Sequence, residues 1–107
     1  DKVLIGLGRL LSQILREEDI ACRYGGEEFV VILDNADLKI ALDTAQRIRT
    51  GFENLPFRPG TKNDISVTVS IGAAEFKPEE SPDELLFRAD QAMYQAKQTG
   101  RNRVCSA

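Results

Sequence analysis

Histidine is absent from this 107-residue chain. That excludes a histidine-based zinc site, a Ser-His triad and a Cys-His pair. Cysteine is scarce as well. Cys22 and Cys105 make no disulfide framework, and a reduced, cytoplasmic setting fits such usage best. Long apolar runs are missing. The longest aliphatic or aromatic run, Phe29 to Leu33, is far too short to span a bilayer. No basic n-region followed by an apolar h-region opens the chain, so secretion is not indicated. Basic excess is missing too: the net charge is −3 and the isoelectric point near 5.0. A broad nucleic-acid-binding surface is therefore not expected, while a nucleotide held by a few local arginines and a metal remains compatible.

What is present describes one soluble domain. At 42% hydrophobic and 29% charged residues, the chain can build a single core and no more. Val3, Leu4, Leu7, Leu10, Leu11, Ile14 and Leu15 recur at helical spacing, opposite Lys2, Arg9, Gln13 and Glu17. This pattern predicts an amphipathic first helix. A second helix, capped by Asn35 or Asp37, would bury Leu38, Ala41, Leu42, Ala45, Ile48, Phe52 and Leu55 and end at Pro56. Arg58 to Asp64 is polar, with Pro59-Gly60 as a turn signal. Ile65 to Ile71 alternates apolar and polar residues, which predicts a strand with one buried face. Ser81-Pro82-Asp83-Glu84 reads as a capping box with proline at the first helical position. The helix it opens turns Leu85, Leu86, Ala89, Ala92, Met93 and Ala96 inward and stops at Gly100, before a final strand at Arg103-Val104-Cys105. The expected class is α+β, with helices covering one face of a mostly antiparallel sheet.

The most informative segment is Tyr24-Gly25-Gly26-Glu27-Glu28-Phe29. Its flanks, Ile20 to Tyr24 and Phe29 to Leu33, read as short strands, and the glycines suit a tight hairpin turn. A hairpin that only had to turn would not need two adjacent glutamates where the chain re-enters an apolar strand. Vicinal carboxylates at such a turn suit a divalent cation and a phosphate-bearing ligand. A solvated acidic hairpin tip is the simpler alternative. Lys97 and Arg101 stand four apart around a helix end, where cations are favoured for structural reasons alone. Arg16-x-x-Asp19, taken alone, reads as a solvated pair at the end of a helix.

Arg16-Glu17-Glu18-Asp19 followed by Arg23-Tyr24-Gly25-Gly26-Glu27-Glu28-Phe29 resembles the GGDEF family of diguanylate cyclases. Val69-Ser70-Ile71-Gly72, Ala89-Asp90-Gln91-Ala92-Met93-Tyr94-Gln95-Ala96-Lys97 and Gly100-Arg101-Asn102 follow in the family's order. The resemblance implies a palm- or nucleotide-cyclase-like domain with a ferredoxin-like core, spanning residues 1–107. It implies condensation of two GTP to cyclic di-GMP and pyrophosphate, with Mg²⁺ or Mn²⁺, across a homodimer of two half-sites. It further implies that the family's first helix and strand, carrying another metal aspartate, would precede Asp1. Residues 1–107 alone are then expected to be an N-terminally truncated domain without turnover, and a sensory or receiver domain is expected upstream. No nucleic-acid or membrane partner is expected within the chain.

Individual roles follow from the same resemblance. Glu27 becomes the metal ligand and the catalytic carboxylate that can deprotonate the attacking 3′-hydroxyl, and Glu28 the second catalytic carboxylate, supporting a metal, the hydroxyl or only the hairpin. Gly25 and Gly26 let backbone approach the α-phosphate. Lys97 and Arg101 become ligands of the β- and γ-phosphates, and Asp1 an acceptor for guanine. Arg16, Asp19 and Arg47 become an inhibitory product site, in which a guanidinium fork reads guanine O6 and N7 and a carboxylate takes the N1 and N2 protons. Two other readings compete: a cyclic di-GMP receptor module that has lost turnover, and a purely structural interaction domain.

Overall fold

A computed structural model of the chain describes residues 2–25, 28–55 and 67–107. Asp1, Gly26, Glu27 and residues 56–66 lie outside the described residues, and with them Pro56, the Pro59-Gly60 turn and the start of the strand expected over 65–71. Within the described residues the order is α1 (Lys2–Ile14), β1 (Ile20–Gly25), β2 (Glu28–Ile32), α2 (Leu38–Glu53), β3 (Ile71–Ala73), α3 (Pro82–Gln98) and β4 (Val104–Ser106).

The helices form where periodicity and caps agree. α1 buries Leu7, Leu10 and Leu11, one turn apart on a single face. α2 opens at Asp37, whose carboxylate accepts from the Ile40 N–H at 2.9 Å, satisfying a donor that the first helical turn leaves without a partner. It presses Ala45, Ile48 and Phe52 inward and ends at Asn54. Leu7, Leu10 and Leu11 of α1 meet Ile48 and Phe52 of α2 to form the core, with Val3, Ile14, Leu15, Phe29, Val31, Leu55, Val67, Val69 and Ile71 packed against it. α3 starts with a complete capping box. The Glu84 N–H donates to Ser81 Oγ at 3.1 Å, and the Ser81 N–H donates to the Glu84 carboxylate at 3.4 Å. Arg88 then forks onto Glu80 and reaches the Glu75 carbonyl, fastening the loop before α3 onto the helix. The Glu75 carboxylate in turn accepts from the Leu38 N–H at the start of α2.

Among the described residues, the strands lie in two pairs. β1 and β2 form an antiparallel ladder, Ile20 opposite Ile32 and Arg23 opposite Phe29. β3 and β4 pair in parallel, Ile71 opposite Val104 and Ala73 opposite Ser106. Parallel strands need a long crossover, and α3 supplies it. Ala92 and Ala96 of α3 are its buried residues, and β3 crosses the helix so closely that a Cβ on Gly72 would lie 2.0 Å from the Ala89 carbonyl oxygen. Only glycine permits that approach.

The α+β class is as expected, and one strand is shorter and later than its sequence pattern predicts. Among the described residues, Val67 to Ser70 form no ladder, and the strand is confined to Ile71–Ala73. The alternation of Val67, Val69 and Ile71 reports their common packing against the core. Burial of alternate side chains produces the same pattern whether or not a neighbouring strand is there to pair.

Candidate functional site

The acidic hairpin is built by the β1–β2 ladder. Gly25 ends β1 and pairs with Glu28, which opens β2 on an exposed position. Tyr24 is the extra residue between the Arg23–Phe29 and Gly25–Glu28 pairs. A bulge of this kind bends the strand just before the turn and often borders a functional site. Gly26 and Glu27 lie outside the described residues, as does Asp1. Glu28 is thus the one candidate carboxylate of the turn whose position is described. Among the described residues no group of three or more carboxylates or cysteines would cage a cation, so the described part of the site does not by itself complete a metal shell. Hard carboxylate oxygens at Glu27 and Glu28 are nevertheless the donor chemistry that Mg²⁺ or Mn²⁺ takes.

The phosphate candidates stand at the C-terminal end of α3. Lys97 lies in the last turn of α3, and Arg101 in the turn that leaves it. Neither has an acidic ion-pair partner among the described residues, and Arg101 is exposed. Gly100, Arg101 and Asn102 all take positive φ, at 129°, 62° and 46°. Gly100 is suited to this. A left-handed backbone costs a residue with a side chain about 1–2 kcal/mol, and such strain persists where surrounding contacts over-determine it. Here the contacts are plain. The Arg101 N–H donates to the Ala96 carbonyl at 2.9 Å, and Arg103 Nε donates to the Arg101 carbonyl at 3.1 Å. Asn102 Oδ1 accepts from Arg49 Nη1 at 3.1 Å, and Asn102 Nδ2 donates to Glu53. The sequence motif includes Asn102, yet its clamp by Arg49 and Glu53 is not legible there. The one signal is an asparagine directly after Gly-Arg at a helix end, where a left-handed residue is favoured.

Arg16 and Asp19 are brought together as expected, and more tightly than a solvated pair. Asp19 Oδ1 accepts from Arg16 Nη2 at 3.1 Å and from the Asp34 N–H at 3.1 Å. Asp19 Oδ2 accepts from the Arg16 N–H at 2.9 Å and from Arg16 Nε at 3.3 Å. Arg16 Nη2 also donates to the Asp34 carbonyl, and Arg16 Nε lies 3.4 Å from the Glu18 carboxylate. The Asp19 side chain is only 2% exposed. Its hydrogen bond from the Arg16 guanidinium, with further backbone donors, holds its carboxyl below the usual carboxylate range, against the opposing effect of burial. The same bond raises the Arg16 pKa. This set of contacts ties the end of α1 to the end of β2. Arg47, on the exposed side of α2 beside buried Ile48, makes no ion pair with Asp19 or any other described acid. The structure joins Arg16 to Asp19, and Arg47 enters no ion pair with a described acid.

No described helix is long and apolar enough to cross a membrane. Residues 1–103 match the family model described as diguanylate cyclase, GGDEF domain. A Bacillus subtilis protein named Uncharacterized protein YhcK is 46% identical over 106 residues, covering 98% of this chain and 30% of that protein. Diguanylate cyclase A of Treponema denticola is 41% identical, covering 97% and 28%. The coiled coil and GGDEF domain of DgcB from Caulobacter crescentus, solved in complex with c-di-GMP, superimposes with a TM-score of 0.90 at 33% identity, covering 99% of this chain and 56% of that one. The chain therefore spans less than a third of the length of these two curated relatives.

Proposed function

The chain belongs to the GGDEF family of diguanylate cyclase domains, and from that premise we propose that the full-length protein condenses two GTP molecules to cyclic di-GMP. The 3′-hydroxyl of each GTP attacks the α-phosphorus of the other, and pyrophosphate leaves at each step. Phosphoryl transfer is mainly positioning and charge neutralisation, and the candidate residues divide that work. Glu27 and Glu28 present carboxylates at the hairpin, and Gly25 and Gly26 leave room for backbone beside the α-phosphate. Lys97 and Arg101 hold the β- and γ-phosphates, and Asp1 accepts from guanine. Mg²⁺ or Mn²⁺ bound at Glu27 would supply the remaining charge neutralisation. Two half-sites, one on each copy of a homodimer, would bring the GTP molecules together. The length of the relatives leaves room for an upstream sensory or receiver domain.

The observation that carries this reading is the pair of cations at the end of α3, without acidic partners among the described residues, with the Arg101 backbone held in a left-handed conformation. A purely structural helix end has no need to hold an unpaired arginine so firmly. The test is product formation from GTP and Mg²⁺ by the full-length protein, read by mass spectrometry. Glu27→Gln removes a charge and keeps the shape. It should lower turnover by roughly 100-fold or more, as loss of a central electrostatic group does, with an unchanged melting curve. Wild-type turnover in that variant would refute the role of Glu27.

We further propose that Arg16, Asp19 and Arg47 form a product site at which cyclic di-GMP inhibits the enzyme. The c-di-GMP complex of the DgcB domain supports binding of this ligand by the fold. Binding without any turnover would instead favour a receptor module.

A further inference from the structure

We propose that Asn102 is a positioning residue for Arg101, acting through a clamp on α2. This rests on the phosphate role proposed above for Arg101. The clamp has an unambiguous sense. Arg49 can only donate and the Glu53 carboxylate, when ionised, only accepts, so the Asn102 amide must turn its oxygen to Arg49 and its nitrogen to Glu53. Arg49 is itself steadied by Gln46, whose Oε1 accepts from Arg49 Nε at 2.8 Å. No carboxylate replaces this amide well, because an aspartate at 102 would face Glu53 as a like charge.

The clamp acts on one residue in particular. Arg101 is fixed at its N–H by the Ala96 carbonyl, at its carbonyl by Arg103, and at its C-terminal neighbour by α2. Its own guanidinium is exposed, with no described acid paired to it. Among the described residues, the restraint falls on the backbone and not on the charged end. That division suits a group that must meet a ligand at a set place, since an ordered supporting shell limits the loss from misplacement. A turn with no such task would be met by glycine at 101 or 102 without strain.

The test is a double-mutant cycle on the full-length protein. Asn102→Gly removes the clamp and keeps a residue that accepts positive φ. It should raise the KM for GTP roughly ten-fold, a loss of order expected when a binding group is displaced. Glu53→Ala should act in the same direction, and Glu53→Gln, which still accepts from the amide, should restore most of the affinity. In an Arg101→Ala background, Asn102→Gly should add nothing, because the residue through which it acts is gone. An equal rise in both backgrounds, or an unchanged KM in either single variant at Asn102 or Arg101, overturns the proposal. Calorimetric titration with GTP and with GMP repeats the cycle without turnover: Asn102→Gly should lose GTP affinity and retain that for GMP. Equal loss of both ligands overturns the clamp, whereas absence of cyclic product from the wild type counts against the cyclase reading alone.

Discussion

Arg16 and Arg101 are both exposed arginines in turns that follow a helix, and they spend their charge differently. Arg16 is committed to Asp19, the Asp34 carbonyl and the Glu18 carboxylate. Among the described residues, the hydrogen bonds that hold Arg101 are made by its backbone. A ligand reaching Arg101 displaces water. A ligand reaching Arg16 and Asp19 must first displace hydrogen bonds that join α1 to β2, so part of its binding energy goes to opening the pair. The contrast matches the two proposed tasks: a substrate site open at all times, and an inhibitory site that fills only when product accumulates.

The largest expected effect tests the open site. Lys97→Ala combined with Arg101→Ala should raise the KM for GTP by roughly 100-fold, since each charge-assisted contact to phosphate is worth about ten-fold or more. Cyclic di-GMP affinity should stay unchanged. Parallel loss of both ligands would erase the distinction. Next, Arg16→Ala should weaken cyclic di-GMP roughly ten-fold in calorimetric titration while leaving the KM for GTP alone. A circular dichroism melt should show a lower midpoint, because the same arginine ties two elements. Arg47 sharpens the comparison. It pairs with no described acid, so Arg47→Ala should leave the melt unmoved. As a contact added beside the Arg16–Asp19 pair, its loss should weaken cyclic di-GMP by only about two- to three-fold. An effect as large as that of Arg16 would place Arg47 at the centre of the site.

The smallest effect is in pH. The Asp19 carboxyl is depressed, so its contribution to stability is complete above its ordinary value and is lost as pH falls through the lowered one. Glu80, depressed by the Arg88 fork, behaves in the same way. Melting midpoints should therefore fall below pH 4 or so, and Asp19→Asn should flatten part of that fall and leave the Glu80 share. An unchanged acid limb in Asp19→Asn would mean that Asp19 carries no linkage.

Much of this fold is written locally. The three helices follow from apolar spacing, and the Asp37 cap and the Ser81–Glu84 box are set by residues three apart. The hairpin is legible from glycines between apolar runs, and Arg16 meets Asp19 because they share one turn. What the residues conceal is long-range. The parallel pairing of Ile71 with Val104 depends on how α3 lies across the molecule. The closure of Asp19 onto Asp34 joins positions 15 apart, and the clamp of Asn102 joins positions 49 and 53 apart. No local spacing encodes such contacts, and a strand-like alternation such as Val67 to Ile71 can arise from burial alone. The glycine turn with its paired glutamates and the Lys97–Arg101 pair are legible as residues, while their shared task on one nucleotide follows only from the resemblance.

The most direct test is a crossed titration. GTP and cyclic di-GMP are each titrated by calorimetry into the wild type, Arg16→Ala and Arg101→Ala forms of the full-length protein, with Mg²⁺ present and a nonhydrolysable GTP analogue replacing GTP where turnover interferes. The account predicts that Arg101→Ala weakens only the triphosphate and Arg16→Ala only the cyclic dinucleotide. Each variant weakening both ligands alike, or neither, would contradict it.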